Sequence, residues 1–281
     1  MIHVKCEYPA GTIIVACGLQ PRYHEFQMSL EGLYVPDGTK LYLERSCDVT
    51  SNFNNGLKKL KGEWAWFLGD DHSFDEKLLM RFLKHNVDVV VPISPCKVPP
   101  WLPCVIHGPE QGEAYWHEDM FLYDWDQLSG IGLLPLPKGD FIGQSGMLVK
   151  KAVLDSIGYP WFKCGQLDPG RLQEDLHFCH VLQEKGYTVN VDQEVVFDHY
   201  TAIAVTARRH HGKYVPAIKS GKHVVVLPGA KPEFDPNIKW GAQGQRPVRW
   251  AKLPRTAEEE AAISSIVDAG PTPLSVAQEN V

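Results

Sequence analysis

Residues 69–74 read GDDHSF, and Asp70, Asp71 and His72 stand side by side at the end of the aromatic run WAWFLG (64–69). Two carboxylates and an imidazole offer hard oxygen donors plus one borderline nitrogen, a set suited to a divalent ion. In an extended chain Asp70 and His72, two apart, point to one side while Asp71 points away. A third ligand must come from elsewhere, and His199 in FDHY (197–200) closes a late strand that could reach across. The plain alternative is that both acids are solvated turn residues, since acidic turns commonly follow strands.

A second pair, Glu174–Asp175, lies in the first turn of RLQEDLHFCHVLQEKGY (171–187), which reads as a helix with Leu172, Leu176, Cys179 and Leu182 on one face and a stop at Gly186. A carboxylate placed beside a hydroxyl nucleophile acts as a general base. Acids in a first turn also suit the helix dipole, at about 0.3–1 kcal/mol each. Trp64 and Trp66 alternate on one strand face and read as packing, whereas Trp101, Trp116 and Trp161 are candidate platforms for a stacking ligand. His177 and His180 share a helix and read as structural, and His210–His211 read as solvated or phosphate-contacting.

The elements that must position these groups alternate. TIIVAC (12–17), TKLYLE (39–44), WAWFLG (64–69) and VDVVVP (87–92) read as strands. Helical patterns lie between them, over 19–33, 51–62 and 74–86. Such alternation predicts a mostly parallel sheet with helices on both faces, its ligands at the carboxyl ends of the strands. A proline-rich stretch, PISPCKVPPWLPCVIHG (92–108), reads as an extended loop. A strand and helix follow in DFIGQSGMLVKKAVLDSIG (140–158), where Gly143 and Gly146 permit close backbone approach.

The 281 residues are 44% apolar with a formal charge of −6. That size supports a large core, and that charge argues against wholesale nucleic-acid or membrane binding. No apolar run reaches the roughly 18 residues that span a bilayer, and the N-terminus lacks a leader pattern, so a cytoplasmic location is expected. Seven cysteines without a C-x-x-C pair read as reduced thiols. Charge is uneven: residues 207–255 hold eleven Lys and Arg against Glu233 and Asp235. The expected organisation is a catalytic domain over 1–206, a basic extension over 207–255 packed on or near the active site, and a flexible tail over 256–281.

The stretch from SNFNNGLKKLKGEWAWFLGDDHSF to VDVVVP resembles the donor half of GT-A glycosyltransferases, where a Gly-Glu-aromatic strand leads to an acidic metal-binding motif. FIGQSGMLVKKAVLDSIGYPWF with QEDLHFCHVLQEKGYTVNVDQEVVFDHY resembles the acceptor half, in the manner of inverting family-2-like and phage or bacterial members. Together the blocks span about residues 12–203. The resemblance implies a Rossmann-like, GT-A-like α/β fold and a metal-dependent hexosyltransferase-type enzyme. It would use a nucleotide-diphosphate sugar, UDP-sugar favoured, with Mn2+ or Mg2+. It implies Asp70, His72 and His199 as metal ligands, and Asp175 as base with Glu174 as an acceptor or sugar contact. Asp71 would meet a ribose or sugar hydroxyl, and Gly146 would approach the donor. Base and ribose would lie near Gly18, Gln20 and Arg22, and near Glu44 and Arg45. Relatives commonly carry a carboxylate where His72 stands. The acceptor would be a hydroxyl on protein, glycan or a hydroxylated base in DNA, the last drawing on the basic 207–255 segment. Two rivals stay open: a nucleotidyltransferase, and a non-catalytic polyanion-binding protein.

Overall fold

The β-branched run Thr12–Ala16 (β1) is buried along its whole length, as a strand covered on both faces must be. It pairs in parallel with Lys40–Glu44 (β2) on one side and Trp64–Gly69 (β3) on the other. Val89–Ile93 (β4), Leu133–Pro135 (β5), Leu148–Lys150 (β6) and Val189–Val196 (β7) complete a seven-stranded sheet of order β5-β7-β4-β6-β3-β1-β2. Strand β6 runs antiparallel between β3 and β4, and β5 is antiparallel to β7, while β1, β2, β3, β4 and β7 share one direction. The protein is therefore mixed α/β with a mainly parallel central sheet, as the alternating pattern predicts; the strand expected within 140–158 is β6, whose antiparallel direction and place between β3 and β4 the pattern does not reveal. This computed structural model describes residues 1–18, 23–46, 48–97, 101–107, 121–163, 165–167, 170–172, 174–200, 204–210, 213–220, 223–226, 232–233 and 249–250.

Five α-helices lie among the described residues: His24–Gly32 (α1), Val49–Leu57 (α2), Leu78–His85 (α3), Lys151–Ile157 (α4) and Glu174–Glu184 (α5). Alternation along the strands divides the core between two faces. Ile13, Val15, Trp64, Trp66 and Leu68 pack with Phe26 and Leu30 of α1 and Leu79 and Phe82 of α3. Ile14, Ala65 and Phe67 pack with Phe53 of α2, Val153 and Leu154 of α4 and Phe178 and Leu182 of α5. Trp64 and Trp66 are packing residues, as expected: both are buried, and their indole N–H groups donate to Pro9 O and Gly146 O. The half-buried Trp161 indole donates to Leu154 O at 2.9 Å. Trp116 lies outside the described residues.

A second sheet builds onto the carboxyl end of β3. The short strand His72–Ser73 pairs with Asp198–Tyr200, which pairs with Ala204–His210, and Lys213–Ser220 and His223–Val226 follow. The domain boundary expected at residue 206 falls inside the strand Ala204–His210. The tail over 256–281 lies outside the described residues, as does most of 227–255. Among the described residues no helix is long and apolar enough to cross a membrane.

Candidate metal centre and cleft

Strand β3 ends at Gly69, and Asp70 and Asp71 form a turn before the chain resumes as strand at His72. The two-residue alternation of a strand does not extend through a turn. Asp71, which the strand rule aimed away, therefore folds back onto His72, its Oδ1 2.8 Å from Nδ1. Gly69 makes this possible: a Cβ there would stand 2.8 Å from Asp71 Oδ1. Pairing of Asp198–Tyr200 with His72–Ser73 sets His199 directly opposite His72, and the two rings stack at 4.0 Å. His199 Nε2 lies 3.6 Å from Asp71 Oδ2. One donor atom from each of Asp71, His72 and His199 falls within 4.8 Å of the others. His72 and His199 thus come together as expected, with Asp71 as their carboxylate. Asp70 turns aside to accept the Gly18 N–H at 3.0 Å.

The outer partners of the cluster suit metal binding. His199 Nδ1 donates to Pro95 O at 2.7 Å, which orients the ring with Nε2 toward Asp71. Ser94 Oγ is 3.0 Å from His72 Nε2, and Ser145 Oγ is 3.1 Å from Nδ1. Burial lowers the pKa of His72 to about 4, the Asp71 carboxylate only partly opposing it, so the ring is neutral at pH 7. Burial works to raise Asp71, yet hydrogen bonds from His199 and His72 outweigh it and hold the carboxyl well below the usual range. An ionised carboxylate beside two imidazoles is a fitting set for a borderline divalent ion, with zinc or manganese suited better than magnesium. Lys97 also pairs with Asp71, through the Oδ2 that faces His199.

The cluster lines a cleft of about 360 Å³ at the carboxyl ends of β1 and β3. Gly18, the start of α2 with Asp48 and Asn52, Gln144 and Ser145, and Glu174 form the rest of its wall. The α2 start is fixed by Asp48, whose carboxylate accepts from Ser51 N and Ser51 Oγ. Asp48, Asp70, Asp71 and Glu174 bring four carboxylates to the wall, and among its described residues there is no lysine or arginine. An anionic ligand would need a cation here.

The other expected residues are dispersed. Gly18 and Glu174 line the cleft. Asp175 lies beside Gly143, where an added Cβ would sit 3.7 Å from its Oδ2 and 3.8 Å from Cys104 Cβ. Burial and then the Glu174 charge push Asp175 up to about 6. Glu44 ends β2 in an ion pair with Lys59 at 2.6 Å. Gly146, with φ +84°, packs behind the cluster: its N–H donates to Phe67 O, and a Cβ would stand 2.4 Å from Pro92 and 2.7 Å from Phe197. Arg22 and Gln20 lie outside the described residues. Sequence reasoning missed Ser94, Pro95, Lys97 and Ser145. All four sit next to strand ends, where ligand sites of such sheets gather, so that rule was the available signal.

Comparison with protein-family models and with curated protein sequences gives no match. Among solved structures the chain is similar to A197 from STIV, at a TM-score of 0.43 and 12% identity over 69% of this chain and 89% of that one. It is also similar to GalNAc-T7, solved with UDP, GalNAc and Mn2+, at a TM-score of 0.44 and 11% identity. That likeness covers 69% of this chain and 44% of GalNAc-T7, so this chain spans less than half of it. Neither likeness assigns a family.

Proposed function

We propose that the protein is a metal-dependent glycosyltransferase that moves a sugar from a nucleotide-diphosphate donor, a UDP-sugar by preference, to a hydroxyl acceptor. The observation that carries this reading is the Asp71–His72–His199 cluster at the carboxyl end of β3, in the wall of a cleft rich in carboxylates. The resemblance of the surrounding motifs to GT-A glycosyltransferases supports it. A divalent ion held by these three residues would neutralise charge on the leaving diphosphate.

The chain's own groups supply the rest. Gly18 and Asp70, joined by their hydrogen bond, form the floor at the β1 end and receive the nucleoside. Lys97 leaves Asp71 and turns its ammonium to the diphosphate, which repays the lost ion pair with a second cation contact. Glu174 in the cleft wall meets a sugar hydroxyl. Asp175, one residue on, takes the proton of the acceptor hydroxyl from the Gly143 side, and its raised pKa of about 6 suits a base working near neutrality. The acceptor is a protein, a glycan or a hydroxylated base in DNA. The basic 207–255 segment favours an anionic one, whose binding would weaken steeply with salt.

A panel of UDP- and GDP-sugars tests this reading through donor hydrolysis with Mn2+, before and after chelation. Turnover that stops in excess chelator and returns with Mn2+ is expected. Undiminished turnover in chelator, or no hydrolysis of any nucleotide sugar, contradicts it.

A further inference from the structure

Beyond β4 the chain turns back on itself in a two-stranded arrangement centred on an antiparallel bridge between Pro95 and Pro103. Proline has no N–H, so neither central residue can donate to this ladder. The donors come from two cysteines: Cys96 N–H to Leu102 O at 2.8 Å, and Cys104 N–H to Ser94 O at 2.7 Å. Cys96 lies opposite Leu102, two residues from Cys104, so the two thiols share one face. Their sulfurs are 3.2 Å apart, and both residues are half-buried. The pair adjoins both ends of the site. Pro95, before Cys96, accepts from His199, and Lys97, after it, pairs with Asp71. On the other side Cys104 O accepts the Gly143 N–H, beside Asp175.

We infer that Cys96 and Cys104 form a reversible dithiol–disulfide site whose state is felt at His199 and Asp71 through Pro95 and Lys97. Bond formation requires the sulfurs to close by roughly 1 Å, to the S–S length of about 2.05 Å. Cys96 is bonded in the chain to Pro95 and Lys97, so a movement of Cys96 reaches both of them. With a low-molecular-weight disulfide as oxidant, the Cys96 thiolate attacks one of its sulfurs and expels a small thiolate. Cys104 then loses its proton and attacks the Cys96 sulfur of the mixed disulfide, expelling the second small thiolate. Two protein thiols become one disulfide, and the oxidant takes two electrons and two protons to leave as two small thiols. The order follows from Cys104, whose hydrogen bond to Cys96 and burial raise its pKa and keep it protonated.

Equilibrating the full chain with oxidised glutathione, alkylating the free thiols and mapping peptides without reduction tests the site. The exposed Cys6 serves as the control for glutathione reactivity. Cys96 and Cys104 should lose alkylation together as one internal disulfide that dithiothreitol reverses. In Cys96→Ser, Cys104 should enter no internal bond. Both thiols remaining alkylatable while Cys6 forms its adduct, or each carrying a separate glutathione, would overturn the site. Because this mapping uses the wild-type chain, it does not depend on a variant folding. The coupling is read in protein labelled with nitrogen-15 histidine: the His199 signal should shift on oxidation and return on reduction, while that of His3 stays. An unmoved His199 signal in protein with the mapped disulfide would overturn the coupling.

Discussion

At the residue scale the chemistry depends on which of two adjacent aspartates faces the histidines. Asp71 holds His72 at 2.8 Å and faces His199 at 3.6 Å, whereas Asp70 bonds the Gly18 amide. Asp71→Ala should abolish the thermal stabilisation by Mn2+, which linkage sets at about 2.7 kcal/mol at a hundred times the dissociation constant. Asp70→Ala should keep the Mn2+ effect and weaken nucleotide binding. The reverse pattern in a thermal-shift titration would move the metal to Asp70. Asp175 gives a second test. Its proton must be absent for it to act as base, so transfer should fall as pH drops through about 6. Asp175→Asn should lower transfer by about 10²- to 10⁴-fold and leave donor affinity intact. The same shift has a stability consequence of opposite sign. A carboxyl whose folded pKa is raised from 3.8 to about 6 stabilises the fold below pH 3.8, and that contribution is lost as pH rises through 6. Asp175→Asn should therefore raise stability above pH 6, by at most about 3 kcal/mol. An unchanged melting temperature at pH 8 would show that the carboxylate is well solvated.

At the element scale the strands were legible and the turn was not. Runs such as TIIVA and WAWFLG announce buried strands by composition, and the alternation of Trp64 and Trp66 assigns them to one packed face. The point at which a strand stops is set by pairing partners far along the chain. Nothing local distinguishes Gly69 as the last strand residue, so alternation carried past it assigns Asp70 and Asp71 to the wrong sides. The strand within 140–158 was legible, but the antiparallel direction of β6 was not, for a similar reason: direction is a property of connection, not of residue type. Gly146 illustrates how tightly these elements meet. Its φ of +84° and its approach to Pro92 and Phe197 leave no room for a side chain. Gly146→Ala should destabilise the protein by about 2–4 kcal/mol, combining the cost of strain with that of overpacking, as read by denaturant unfolding. A loss under 0.5 kcal/mol would mean that β6 and β4 can separate without consequence.

For the whole molecule, the site joins two sheets. The central sheet supplies the cleft floor, and the second sheet supplies His199 through a strand whose other neighbour is Ala204–His210. A chain ending at residue 206 would cut that neighbour and should lose Mn2+ stabilisation, while one ending at 226 keeps all five strands and should retain it. Equal Mn2+ responses from the two truncations would show that the second sheet does not support the site. The most direct measurement is anomalous diffraction at the manganese edge from crystals soaked with Mn2+ and UDP. One strong peak is expected within bonding distance of Asp71, His72 and His199. A peak held elsewhere in the cleft, or none there with these side chains ordered, would contradict it.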